Sequence, residues 1–203
     1  MEIRTEAGPA IVVIDERPDP AFLLVLTHGA GGGVDSADLL AARQAGLDLG
    51  AVVVRVTQPY RVRGARAPGS AQRQDAAWVE IIAALRARYP GIPLAQGGRS
   101  NGARLACRTA RAVGAVAVVA LAFPLHPPGK AVVPERSRAA ELQSAGAPVL
   151  VVNGDRDPFG VPDAADADSL VVLSGETHAL SKHPEAVAAA VRSWLGDLVG
   201  VSG

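Results

Sequence analysis

Apolar residues in this chain fall into short, nearly continuous runs, separated by longer stretches where they recur every three or four positions. The runs are rich in Val and Leu: Ile11–Ile14, Phe22–Thr27, Val52–Val56, Leu94–Gln96, Val116–Ala122, Val149–Asn153 and Leu170–Leu173. Runs of this length without alternation predict strands buried on both faces, as in a parallel sheet. The stretches between them predict helices. Leu39, Leu40, Arg43 and Leu47 mark one, with Asp35 or Ser36 as its N-cap and Gly46 near its end. Ser70 caps a longer one, in which Ala77, Trp78, Ile81, Ile82 and Leu85 form an apolar stripe and Pro90-Gly91 marks the stop. A third follows Ser100, and a fourth is predicted over Pro134–Ser144. The last begins near Pro184 and buries Val187, Val191, Trp194, Leu195 and Leu198. This alternation predicts an α/β fold: a doubly wound, mostly parallel sheet with helices on both faces.

Composition narrows the class. At 203 residues, the chain is expected to form one domain over 1–203 with a single substantial core. The Pro- and Gly-rich stretches 57–69 and 124–134 are expected to be loops within it. Twenty Lys and Arg balance twenty Asp and Glu, which argues against a nucleic-acid-binding face or a charged disordered tail. Aromatics are 3%, too few for base-stacking platforms. The lone Cys107 excludes an intrachain disulfide. Met1–Glu6 holds no apolar run of a signal peptide, and Ala115–Phe123 is far shorter than the roughly 20 residues of a membrane span. The expectation is a cytoplasmic protein that engages neither membrane nor nucleic acid. Oligomeric state, monomer or homodimer, stays open.

The candidate chemistry lies just after the strands, where open α/β sheets bind ligands. Gly98-Arg99-Ser100-Asn101-Gly102 follows one strand and opens a helix, and it fits G-x-S-x-G, a sharp turn that exposes a serine hydroxyl. His28-Gly29-Ala30-Gly31-Gly32-Gly33 follows an earlier strand. It has neither the spacing of a dinucleotide loop nor that of a phosphate-binding loop. Asn153-Gly154-Asp155-Arg156-Asp157-Pro158-Phe159 and Ser174-Gly175-Glu176-Thr177-His178 follow the last two strands. Ser100, Asp157 and His178 thus occur in the chain order Ser, Asp, His expected of a hydrolase triad on this kind of sheet. Asp155 competes with Asp157 for the acidic position, and the GxxDP match favours Asp157. No His, Cys, Asp or Glu set has metal-ligand spacing, and no cofactor is expected.

These motifs, with Gln58-Pro59-Tyr60-Arg61 and Phe123-Pro124-Leu125-His126-Pro127, resemble a compact α/β-hydrolase of the dienelactone-hydrolase-like kind. The chain is similar, over nearly its whole length, to the small domain that bacterial proteins share with eukaryotic testis-expressed protein 30 and with a subunit of a histone acetyltransferase complex. The resemblance implies a hydrolase fold and leaves the substrate open.

The expected roles are these. Ser100 is the nucleophile, His178 the general base, and Asp157 the group that orients the imidazole. The backbone N–H groups of Ala30 and Asn101 form the oxyanion hole. Gly31, Arg99 and His126 are candidates for substrate contact. Arg99 also reads as a structural ion pair, and Arg61, Arg63 and Arg66 as a solvated basic loop. His28 is expected to fix its loop, His183 to start the last helix, and Cys107 to act as a small buried hydrophobe. No insertion is long enough for a large cap; 124–147 supplies at most a partial lid. The expected function is hydrolysis of small acyl esters, thioesters or lactones. The competing class is a binding or scaffold protein that keeps the hydrolase fold without turnover.

Overall fold

In a computed structural model that describes residues 1–129 and 136–200, the chain forms one eight-stranded sheet. The strands are β1 (Glu2–Thr5), β2 (Gly8–Asp15), β3 (Phe22–Thr27), β4 (Ala51–Thr57), β5 (Leu94–Arg99), β6 (Ala117–Leu121), β7 (Val149–Gly154) and β8 (Ser169–Leu173). The helices are α1 (Ala37–Asp48), α2 (Pro59–Val62), α3 (Ala71–Arg88), α4 (Asn101–Val113), α5 (Ala139–Gln143) and α6 (Pro184–Val199). Strand order is β1-β2-β4-β3-β5-β6-β7-β8, and only the β1–β2 and β2–β4 pairs are antiparallel. No helix among the described residues is long and apolar enough to cross a membrane.

The two-residue period of the strands decides which core each side chain enters. In β3, Phe22, Leu24 and Leu26 face α1 and α6, where Leu39, Ala42, Val187, Val191 and Leu195 close one core. Leu23 and Val25 face the other way, against Trp78, Ile81, Ile82 and Leu85 of α3 and Leu105 of α4. Farther along the sheet, Ala103, Ala106, Cys107 and Ala110 of α4 pack on Val118, Ala120 and Val151. One buried polar network ties these layers together. Gln96 of β5 accepts from Trp78 Nε1 at 2.8 Å and donates to Ala106 O at 2.7 Å and Thr109 Oγ1 at 3.2 Å. Every polar atom of the amide is engaged, which is the condition for a buried amide to be tolerated.

Several sequence expectations are revised. The hairpin strand β1 has no apolar run, because only Ile3 of its four residues is buried. The first predicted strand, β2, runs antiparallel to both of its neighbours, β1 and β4. The short α2 lies in the stretch read as loop, opening on Pro59. Strand β5 continues past Gln96 through Gly97 and Gly98, weak strand formers that are required here by close approach: a Cβ on Gly97 would lie 2.4 Å from Val119 O. Gly46 lies inside α1, where a Cβ would meet Leu24 at 2.6 Å, and Ser36 sits at the N-cap position without a side-chain bond. Ser70 caps α3 as expected, accepting from Arg73 N. Of the helix predicted over Pro134–Ser144, the described part is Ala139–Gln143, and 130–135 lie outside the described residues.

The loop after β3 is fastened before any chemistry is asked of it. His28 is fully buried. Its Nδ1 meets Gly29 O at 2.8 Å, and its Nε2 accepts from Gln58 N at 3.0 Å, so the ring is neutral with the proton on Nδ1. Gln58 also donates to Thr27 Oγ1, and Tyr60 packs edge-on to His28 with its hydroxyl 3.4 Å from Ala30 O. Burial pushes the Tyr60 phenol up to about 12. The same burial holds the His28 imidazole below its ordinary value of 6.5.

Two outcomes follow for stability. Replacing Gln96 by Leu leaves the Trp78 N–H without an acceptor, and should cost about 1–3 kcal/mol, seen as a lower urea midpoint at unchanged m-value. For His28, the unfolded chain binds a proton more readily than the folded one, so stability falls as pH drops below about 6.5. Urea midpoints of wild type and His28→Gln between pH 7.5 and 5 should converge toward acid pH. Parallel curves would show that His28 carries no such linkage.

Candidate functional site

The winding of the sheet creates the site. From β3 the chain crosses to β4 on one side and then returns to β5 on the other. The loops leaving β3 and β5 therefore diverge from a common crevice at the C-terminal edge of the sheet, the switch point of a doubly wound fold. Ser100 sits there between β5 and α4, with φ 53° and ψ −116°. Left-handed φ is rare for a residue with a side chain, and about 1–3 kcal/mol is stored in such a backbone. The neighbours leave no alternative. A Cβ on Gly98 would lie 2.6 Å from Thr27 O, and one on Gly102 2.7 Å from His28 O. The Ser100 N–H donates to Leu121 O at 2.9 Å, tying the turn to β6.

Side chains from two other loops line up with this serine. His178 Nε2 lies 2.9 Å from Ser100 Oγ, and its Nδ1 lies 2.8 Å from Asp157 Oδ2. The Asp157 carboxylate is fully buried, and its second oxygen accepts the Phe159 N–H at 2.9 Å. Phe159, which sequence reasoning did not single out, stands edge-on against the His178 ring with centroids 4.5 Å apart. Asp155 goes elsewhere: it is exposed and caps the β8 turn, accepting from Gly175 N and Ser174 Oγ.

On the opposite side of Ser100 lies the β3 loop. A Cβ on Gly29 would stand 3.2 Å from Ser100 Cβ, so glycine lets the loop press against Ser100. Ala30 follows, and Gly31 is exposed with open space around it. Asn101 opens α4, so its N–H has no carbonyl one turn back to receive it. Its side chain donates to Gln74 Oε1 at 2.7 Å.

The remaining candidates have other surroundings. Arg99 is not free: Nε donates to Asp38 Oδ2 at 2.8 Å and Nη2 to the backbone oxygen of His178 at 2.6 Å. His126 packs against the Asp157 loop, its N–H donating to Phe159 O and its ring 3.0 Å from the Cβ position of Gly160. His183 precedes α6, and Cys107 is buried, its thiol pushed up by that burial. Arg61 and Arg63 bond only backbone carbonyls among the described residues, those of Ala65 and Ala7.

Two buried carboxylates that sequence reasoning missed brace the site. Asp38 is the partner of Arg99, and in sequence it reads as an ordinary acidic residue in the first turn of a helix. Glu176 accepts the Lys182 and His183 N–H groups, each at 2.7 Å, and so folds the histidine loop onto the start of α6. Its place two residues before His178 was the only signal available.

The comparisons with known proteins agree with this architecture. The chain is similar to Est1E of Butyrivibrio proteoclasticus, solved with ferulic acid bound, at 17% identity and TM-score 0.80 over 98% of this chain and 99% of that one. It is similar to an α/β serine hydrolase without a lid from Xanthomonas campestris, at 22% identity and TM-score 0.71 over 96% and 93%. A serine hydrolase homologue from Coxiella burnetii gives 18% identity and TM-score 0.79 over 96% of both chains. At these identities the likeness is one of fold. No curated protein matches the sequence. The family model for the alpha/beta hydrolase domain matches residues 20–182. Its span runs from β3 through the histidine loop, and the chain belongs to the alpha/beta hydrolase domain family.

Proposed function

We propose that the protein is a carboxylesterase-like serine hydrolase acting on small acyl esters, with thioesters and lactones within reach of the same chemistry. The observation that carries this reading is the unbroken hydrogen-bonded line from Ser100 Oγ through His178 to Asp157. A serine hydroxyl is a poor nucleophile at neutral pH and needs a neutral imidazole to take its proton as attack occurs. With Asp157 accepting from Nδ1, the lone pair of His178 sits on Nε2, facing the hydroxyl. Attack of Oγ on the ester carbon moves the serine proton to His178. Negative charge then develops on the carbonyl oxygen, and the backbone N–H groups of Ala30 and Asn101 are the donors assigned to it in this reading. Collapse of the tetrahedral species expels the alcohol, which takes the proton from His178 and leaves an acyl-enzyme on Ser100. Water repeats the sequence in reverse roles and releases the acid. The chemistry uses only the chain's own groups.

The Gly31 side of the crevice is open, which suits a small or flexible acyl group. The first test is covalent labelling: a fluorophosphonate probe should modify wild type and leave Ser100→Ala untouched. A folded wild type that resists the probe would favour a binding or scaffold role on a hydrolase fold. The second test separates the two aspartates. Turnover of p-nitrophenyl esters should fall by about 10⁴-fold in Asp157→Asn and by orders of magnitude in His178→Ala, with thermal unfolding cooperative in both. Asp155→Asn should turn over at nearly the wild-type rate, and a crippled Asp155→Asn would reverse the acid assignment.

A further inference from the structure

Arg99 stands beside the nucleophile in sequence, yet its guanidinium is turned inward. The side chain is 15% exposed, and Asp38, its partner, is fully buried. One Asp38 oxygen receives Arg99 Nε and the other receives the Leu39 N–H at 2.9 Å, so α1 anchors the pair from behind. Arg99 Nη2 ends on the carbonyl of His178 at 2.6 Å. The third nitrogen, Nη1, lies 3.6 Å from the Cβ position of Gly29, against the loop that carries Ala30. One side chain therefore spans the elbow, the base and the oxyanion loop. Among the described residues, this is the hydrogen bond that reaches the backbone of His178 itself.

We propose that Arg99, locked by Asp38, is the positioning residue of the general base: it holds the His178 backbone at the distance and angle that aim Nε2 at Ser100. The proposal rests on the hydrolase reading above. The geometry suits the task. A guanidinium has donors in a rigid fork, so fixing one arm on a buried carboxylate fixes the direction of the other. Its charge is matched by Asp38, so the clamp presents no uncompensated charge to the imidazolium that forms during attack. Misplacing a catalytic group by about 1 Å can cost on the order of 10²-fold in rate. A lysine could pair with Asp38 but has no second arm to reach the carbonyl.

The test compares Arg99→Ala, Arg99→Lys and the charge-neutral double variant Asp38→Asn/Arg99→Met, which avoids stranding a buried carboxylate. Steady-state turnover of p-nitrophenyl butyrate should show kcat reduced about 10²-fold with KM within about twofold of wild type. Phosphonylation of Ser100 by the fluorophosphonate probe should slow in parallel. Guanidinium chloride, well below denaturing concentration, should restore part of the labelling rate in Arg99→Ala and none in Ser100→Ala. A raised KM at full kcat would overturn the proposal in favour of a substrate contact. A lowered melting temperature with unchanged labelling rate would overturn it in favour of a structural tie. If wild type itself does not label, the hydrolase reading fails while the clamp is still decided. In that case the proton resonance of the His178 Nδ1–H should be present in wild type and lost or displaced in the double variant, and an unchanged resonance overturns the clamp.

Discussion

The backbone at Ser100 is the constraint on which the rest of this structure depends. A residue with a side chain occupies left-handed φ there, and nothing in its own chemistry favours it. It persists because β5 is squeezed between β3 and β6, while α4 must start at once on the near side of the sheet. Glycine at 98 and 102 lets α4 and β3 come within contact, and the bond from Ser100 N to Leu121 O closes the turn from the β6 side. The stored strain is offset by the two cores that grip β5 from both faces, which is why it can be kept at Ser100.

The partners of that hydroxyl stand on loops, and loops have little apolar surface with which to be held. They are held here by polar side chains aimed at backbone. Gln58 and His28 fasten the β3 loop. The Asn153 amide spans the Phe123 backbone, accepting its N–H at 2.8 Å and donating to its carbonyl at 3.1 Å. Glu176 folds the histidine loop, and Arg99 reaches its backbone from the elbow. Each such bond is stronger for being buried, and each would leave a costly orphan if broken. Precision at the site is thus a property of buried polar bonds, while stability of the fold is a property of the apolar layers beneath.

Much of this was legible in the chain alone. The strands β3, β4, β6 and β7 are buried on both faces and announce themselves as apolar runs. The helices α3 and α6 carry their stripes, although Leu198 at the end of α6 is exposed, and their starts are marked by Ser70 at the N-cap of one and Pro184 in the first turn of the other. Strand β1 was hidden because one buried residue makes no pattern, and the end of β5 was hidden because its glycines answer to neighbours distant in sequence. Among the site residues, Ser100, Asp157 and His178 could be named because each follows a strand and each has a side chain suited to one step of acyl transfer. Asp38, Phe159 and Glu176 could not, because alone in sequence they look like a first-turn acid, a loop aromatic and a surface carboxylate.

The sequence by itself determined the α/β class, the order of the elements that carry an apolar pattern and which loops follow the strands at one edge of the sheet, because periodicity and chain order are local or one-dimensional properties. Tertiary structure decided which aspartate meets His178, and it turned Arg99 inward to Asp38 and away from the crevice. Both decisions depend on distances between residues well separated along the chain, 21 positions for His178 and Asp157 and 61 for Arg99 and Asp38. Hydrogen bonds act only within about 3 Å, and no pattern along the chain records which groups the fold will bring that close.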